Sequence, residues 1–217
     1  MMTADAHDLY ERLTAVGLLK NKPPMWWPAY GSFEVVIGAI LTQNSQWSRV
    51  EVSLENLRAN NLLDPHALDN CDIETLMTLI QPSGLFKSKA KYIKLLCSAI
   101  IESFGDFENF CFEVEREWLL EQKGIGKETA DSILCYACQR PVMVVDAYTA
   151  RLLSALGMEF EEYDDLQSWC SLEGCFSEDE LPEVYALFHG MIVEYVKGYK
   201  RGRSEVLVEA LKVEKDS

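Results

Sequence analysis

Leu119-Leu120-Glu121-Gln122-Lys123-Gly124-Ile125-Gly126-Lys127-Glu128-Thr129-Ala130 is the stretch on which the reading of this chain turns. Apolar residues on helical spacing precede it at Val114, Trp118 and Leu119, and Thr129 to Cys138 continues the same period after it, so two helices meet over a very short connection. Two glycines separated by one apolar residue permit a tight turn, with backbone N–H groups pointing outward at the start of the second helix. Such a turn suits a phosphate oxygen: the glycines allow close approach, Ile125 pins the hairpin into the core, and Lys127 adds charge at the rim. The local pattern fits equally well a plain helix-helix turn that needs glycine.

Outward from the hairpin the periodicity stays helical. Leu9, Leu13 and Val16 mark a first helix, and Pro23, Pro24, Pro28 and Gly31 then break the chain around Trp26-Trp27. An apolar helix follows from Ser32 to Leu41, and Trp47, Val50, Leu54 and Leu57 define another. Asp64-Pro65 and Asp72 read as N-terminal signals of two short helices, and Pro82-Ser83-Gly84 as a turn. The next segment puts Ala90, Ile93, Leu96, Cys97, Ile100 and Ile101 on one face and Lys87, Lys89, Lys91 and Lys94 on the other, predicting an amphipathic helix with one basic side that ends at Gly105. Pro141 ends the helix after the hairpin. Val142 to Val145 has no strand to pair with and is read as a buried extended connector leading to Asp146. Ala147 to Leu156, closed by Gly157, and Pro182 to about Lys200 complete an all-α chain.

Composition bounds the classes that remain. With 217 residues the prior is one large domain or two small lobes. The longest apolar run, Val35 to Leu41, is far below the ~20 residues that span a bilayer. The start of the chain lacks a basic-then-apolar leader, and seven irregularly spaced cysteines form no disulfide framework, which points to a reduced, cytoplasmic protein. A net charge of -15 argues globally against nucleic acid, but eleven acidic residues and no Lys or Arg lie between Leu152 and Val196. Basic residues cluster elsewhere, at Lys87 to Lys94, at Lys123 and Lys127, and at Lys197, Lys200, Arg201 and Arg203. Local patches of this kind hold a phosphate backbone through a few salt-sensitive contacts.

The hairpin, the helix after it and Val144-Val145-Asp146-Ala147-Tyr148-Thr149 together resemble the helix-hairpin-helix DNA glycosylases of the endonuclease III superfamily, in which an aspartate follows the hairpin glycines at about this distance. Leu41-Thr42-Gln43-Asn44 looks like the family's early polar loop, and Gly84-Leu85-Phe86-Lys87-Ser88-Lys89-Ala90 like its Gly-Leu-Tyr-x-x-Lys-Ala segment. The resemblance runs from about Ser32 to Gly190. It implies two lobes, a six-helix lobe over 24–140 that contains the hairpin (about 113–138) and a discontinuous lobe from 1–23 and 141–217, with the active site in the cleft between them. Glu128 stands where backbone-cutting members carry a lysine nucleophile, and a carboxylate cannot form the Schiff base that β-elimination needs. No cysteine follows Cys175, whereas members with an iron-sulfur cluster place four after the His-Gly pair, here His189-Gly190. Cys135-x-x-Cys138 and Cys170 with Cys175 supply no closed zinc site, so no metal or cofactor is implied beyond a monovalent cation that the hairpin can hold.

The site residues follow from this resemblance. Asp146 is either a plain helix N-cap or the family's catalytic carboxylate, which stabilises a developing sugar cation and activates water. Trp26, Trp27, Pro28 and Trp47, with Lys197, would form the base pocket, Trp47 being the first choice of stacking partner and Trp26-Trp27 equally able to be a wall, and the Trp-Trp-Pro group resembles the branch that removes 3-methyladenine. Alkylation leaves that purine cationic, so aromatic faces attract it and little leaving-group acid is needed. Core filling is the alternative for each tryptophan. Gln43 and Asn44 would enter the space left by a flipped base, and Lys87, Lys89, Gly124, Ile125, Gly126, Lys127 and Thr129 would contact DNA. His189 and Lys197 lie along the late helix, where a core histidine and a solvated lysine are the plainer readings. The expected protein is a monomeric, monofunctional glycosylase acting on damaged double-stranded DNA, with no membrane partner. Its rivals are a glycosylase for a mispaired or oxidised base and a DNA-binding module without catalysis.

Overall fold

The computed structural model describes residues 5–198, and among these every regular element is a helix. The basic cluster read at Lys200, Arg201 and Arg203 lies outside the described residues. The chain folds as two compact units, one of residues up to Pro28 together with those from Arg140 onward, the other Ala29–Gln139. Trp26, Trp27 and Pro28, expected in the hairpin lobe, thus belong to the discontinuous unit.

α1 (Ala6–Val16) opens the discontinuous unit, capped by the Asp5 carboxylate, which accepts from the Asp8 N–H. The chain then builds the second unit around α2 (Phe33–Thr42). Val35, Val36, Ile37, Ile40 and Leu41 are fully buried there, because a helix apolar on all sides is stable only when surrounded. α3 (Trp47–Ala59), α4 (Pro65–Asn70) and α5 (Ile73–Leu79) follow. Asp64 and Asp72 cap the latter two through the N–H groups of Ala67 and Thr75, as the sequence signals predict. A short 3-10 turn over Gln81–Ser83 leads into α6 (Phe86–Phe104). α7 (Phe107–Glu113), α8 (Arg116–Glu121) and α9 (Lys127–Ser132) complete the unit, with a π-helical turn at Ile133–Ala137 continuing α9. The unit is divided more finely than the expected six helices, since each short helix is ended by its own cap.

The lysine face of α6 requires a correction. Lys87 and Lys91 are exposed, but Lys89 is buried and its Nζ donates to the carbonyls of Leu41 and Ser83 at 2.7 and 2.9 Å. Lys94 turns the same way, donating to the carbonyls of Leu68 and Cys71 at 3.0 and 2.9 Å and also to that of Asp69. Leu41 and Leu68 sit at the C-terminal ends of α2 and α4, where the last carbonyls lack intrahelical donors and carry the negative end of the dipole. Each ammonium closes a helix end. Lys89 is therefore a structural residue and is withdrawn as a DNA contact, because a buried, inward-facing ammonium cannot reach a phosphate.

After Pro141 the buried residues Met143, Val144 and Val145 run without strand pairing to α10 (Ala147–Ala155). α11 (Tyr163–Trp169) and α12 (Leu181–Gly198) follow, and α12 packs on both α1 and α10 and buries Val184, Phe188, Ile192 and Tyr195, with the Phe188 ring against Tyr10 of α1. No helix among the described residues is long and apolar enough to cross a membrane.

Candidate active site and hairpin

Asp146 ends the buried connector and is the N-cap of α10. Its Oδ1 accepts from the N–H groups of Tyr148 and Thr149 at 2.8 and 2.9 Å, and Thr149 Oγ1 accepts in return from the Asp146 N–H at 3.3 Å. The N-cap reading is correct as far as Oδ1 goes. Oδ2 lies instead 3.4 Å from Nε2 of His189 on α12, so one oxygen serves the helix and the other faces an imidazole. Burial alone would raise the carboxyl pKa, but hydrogen bonding and attraction from His189, with the Thr149 N–H, outweigh it and hold the group below its ordinary value. Asp146 is thus an ionised carboxylate with only 13% of its side chain exposed.

Around this pair the sequence assembles an aromatic site. The Trp26 and His189 rings meet in a T-shaped pair, with centroids 5.3 Å apart and planes at 82°. Its backbone adopts a φ of 63°, a conformation that costs a bulky residue energy and persists only when its surroundings fix it. Gly190 supplies that fit from below, since a Cβ there would lie 2.5 Å from Cγ of Trp26. From the side, Trp26 Nε1 donates to Glu194 Oε1 at 3.1 Å, and Lys22 Nζ lies 2.8 Å from Glu194 Oε2. Lys197 Nζ is 5.9 Å from the Trp26 ring centroid and 5.4 Å from that of Tyr148, within cation–π reach of both. Trp27 is buried and meets Trp26 edge-on at 6.1 Å, making it a wall, and Pro28 is half-buried beside it.

The other unit carries the hairpin. Gly124 has φ 88°, and a Cβ would fall 2.3 Å from the Tyr92 ring, so this position needs glycine twice over. Ile125 is buried as expected, and Gly126 is the exposed N-cap of α9, with open space where a side chain would stand. Behind the turn, Arg116 on α8 grips the fully buried Asp131 on α9 with Nε and Nη2 at 2.7 and 3.0 Å. Gln43 is committed to the same turn: its Nε2 donates to the Gly124 carbonyl at 2.9 Å and to Thr129 Oγ1 at 3.0 Å. Thr129 is buried. Gln43 and Thr129 thereby shape the hairpin from inside, leaving Asn44, exposed at φ 52°, as the outward residue of the polar loop. Lys87 is exposed and Lys127 half-buried. Trp47 is half-buried at the first position of α3, in the hairpin unit, whereas Trp26 shares its unit with Asp146.

Sequence reasoning left four residues of this geometry unassigned. Glu194 was one acidic residue among eleven, and nothing in its spacing pointed to Trp26. Tyr148 was noted only as part of a motif. Gly190 carried a usable signal, since an isolated glycine inside a helix costs about 1 kcal/mol against alanine and needs a packing reason. Leu85, 62% exposed at φ 48°, stands beside the turn that Lys89 ties to α2.

Residues 37–167 match the model of the HhH-GPD superfamily base excision DNA repair proteins. The chain belongs to that superfamily, and it is a base excision repair DNA glycosylase by family. A Methanocaldococcus jannaschii protein assigned to the DNA repair glycosylases is 40% identical over 189 residues, covering 82% of this chain and 83% of that one. Endonuclease III of Sulfolobus acidocaldarius is 28% identical over 165 residues, covering 73% and 72%. Among solved structures, H. pylori 3-methyladenine DNA glycosylase (MagIII) bound to 1,N6-ethenoadenine superposes with a TM-score of 0.85 at 40% identity, over 91% of this chain and 100% of that one.

Proposed function

We propose that this protein is a monofunctional DNA glycosylase that flips alkylated purines, principally 3-methyladenine, out of double-stranded DNA and hydrolyses the glycosidic bond, leaving an abasic site. The observation that carries the reading is the divided carboxylate of Asp146. With Oδ1 fixed on the α10 amides, Oδ2 is an oriented anion beside His189, suited to stabilise positive charge developing on a deoxyribose and to accept a proton from attacking water. Trp26, framed by Gly190 and Glu194, offers an aromatic surface in the same unit. A cationic purine is attracted to such a surface and leaves as a neutral base, so no strong acid is required. The likeness to a 3-methyladenine glycosylase at 40% identity supports this choice of substrate.

On the DNA side, the Ile125 N–H is committed to the Gln122 carbonyl, and the backbone N–H groups at the exposed Gly126 end of the hairpin, with Lys127, would hold phosphate. Lys87 would add a cation, and Asn44 and the exposed Leu85 would fill the space of the extruded base, the apolar side chain as a wedge between steps. Glu128, exposed on the first turn of α9, makes the reaction hydrolytic without strand cleavage. The protein acts as a monomer, in the cytoplasm, without a cofactor or an iron-sulfur cluster. The test is base release from methylated duplex DNA with identification of the product. Free 3-methyladenine supports the reading. Release only of a mispaired or oxidised base transfers the chain to another lesion, and salt-sensitive binding without release, unaffected by loss of Asp146, makes it a binding module.

A further inference from the structure

Behind Trp26, Glu194 and Lys22 form a relay whose charges no step of the proposed hydrolysis requires. Glu194 projects from the C-terminal half of α12 with 18% of its side chain exposed. One carboxylate oxygen accepts from the Trp26 indole N–H at 3.1 Å, and the other faces the ammonium of Lys22 at 2.8 Å. Burial would raise the Glu194 pKa, but hydrogen bonds from Lys22 and Trp26, with attraction to Lys22 and Lys197, bring it below the ordinary value, so the carboxylate is charged. A buried hydrogen bond to a tryptophan N–H is met adequately by any carbonyl. A carboxylate there adds something a carbonyl does not: negative charge in the plane of the ring, which pushes electron density toward the indole face. That face attracts cations, and one stands in range of it already, the ammonium of Lys197 at 5.9 Å.

We infer that Glu194 is a specificity-determining positioning residue: through the indole N–H it fixes Trp26 and biases its ring toward cationic over neutral purines, while Lys22 moderates that bias. The inference rests on the reading of Trp26 as the base-facing aromatic. A staple of purely mechanical purpose and an electrostatic bias make different forecasts. Removing either partner of a staple loosens Trp26 and weakens every ligand together. Removing charge from the two ends of the relay shifts selectivity in opposite directions, because Glu194 supplies the field and Lys22 opposes it.

The experiment measures binding of two free bases by calorimetry, the permanently cationic 3,9-dimethyladeninium and the neutral 9-methyladenine, to wild type, Glu194→Gln and Lys22→Met. Glutamine keeps an oxygen acceptor for the indole and removes the charge. The expected result is a fall of about tenfold in the cationic-to-neutral affinity ratio for Glu194→Gln and a rise of about threefold for Lys22→Met, the scale of a partly desolvated cation–π contact. A ratio that is the same in all three proteins overturns the inference, as does a fall in both variants. Should Glu194→Gln melt out, the sign of the Lys22→Met change decides alone. Release of alkylated base from methylated DNA by the wild type is measured separately: its absence together with ratios that move as stated removes the substrate reading and leaves this inference standing.

Discussion

Replacing Asp146 by asparagine separates the cap that its carboxylate forms from the catalytic role proposed for it. The Oδ1 cap survives, because asparagine and aspartate rank alike as N-caps and the amide oxygen can accept from the same Tyr148 and Thr149 N–H groups. What disappears is the charge on Oδ2, 3.4 Å from His189. Loss of that partly buried attraction is offset by relief of carboxylate desolvation, so stability should change by no more than about 1 kcal/mol, or roughly 2–4 °C in Tm for a chain of this size. The rate should fall at least about a hundredfold, near 2.7 kcal/mol of barrier, since an electrostatic or general-base group is gone. Asp146→Ala removes the cap as well and should cost a further ~1 kcal/mol of stability. Single-turnover base release and thermal melts on both variants give the numbers. The acid limb supplies an internal control. With the folded pKa below its ordinary 3.8, the stabilisation is complete above that value and is lost as pH falls from 3.8 through the folded one. Asp146→Asn should lack this acid dependence. If Asp146→Asn turns over within threefold of wild type while Asp146→Ala loses stability and activity together, the residue is a cap and nothing more.

Three further outcomes are expected. Incubation with methylated DNA should leave intact abasic strands that break only after alkali or heat, and borohydride should trap no covalent complex; a trapped complex at substrate-level yield would reassign the nucleophile to an amine such as Lys127 or Lys197. Arg116→Met strands the fully buried Asp131 without its bidentate partner and should destabilise by about 3 kcal/mol, at the low end for a buried pair because Arg116 is 26% exposed, while duplex affinity falls further than Tm predicts; urea melts and fluorescence anisotropy check this, and a loss below ~1 kcal/mol would show the pair to be dispensable. Gly190→Ala drives a methyl into the Trp26 ring and should cost about 1–3 kcal/mol with a larger loss in purine binding; unchanged calorimetric affinity would show that Trp26 does not face the base.

Helical periodicity carried most of the fold into the sequence. The caps at Asp64 and Asp72 and the glycine turn were legible because their signals are local, and Asp146 was legible as a cap for the same reason. Its second oxygen was not, because His189 approaches from a helix 43 residues further along the chain. Lys89 misled for a related reason. Its charge put it on the basic side of α6, and only the ends of two other elements show that carbonyls wait for it. Gln43 was read as an outward amide because its loop resembles the one that enters the space of a flipped base, yet two hydrogen-bonding atoms of the hairpin, more than eighty residues away, hold it inward. Leucines and valines declare their environment by chemistry alone. Polar side chains do so only through partners, and those partners are set by topology.

The inward lysines of α6 also bear on how such a protein would search a genome. Counterion release scales with the number of phosphates neutralised, each contributing about -0.9 to the slope of log affinity against log salt. With Lys89 and Lys94 spent on carbonyls, few cations remain on that helix to touch an undamaged duplex, and the chain as a whole is anionic. Under the proposed function, a protein so equipped should dwell only briefly at each unmodified stretch, leave by hopping more than by long one-dimensional sliding, and depend on the extruded base for the affinity that its surface charge withholds.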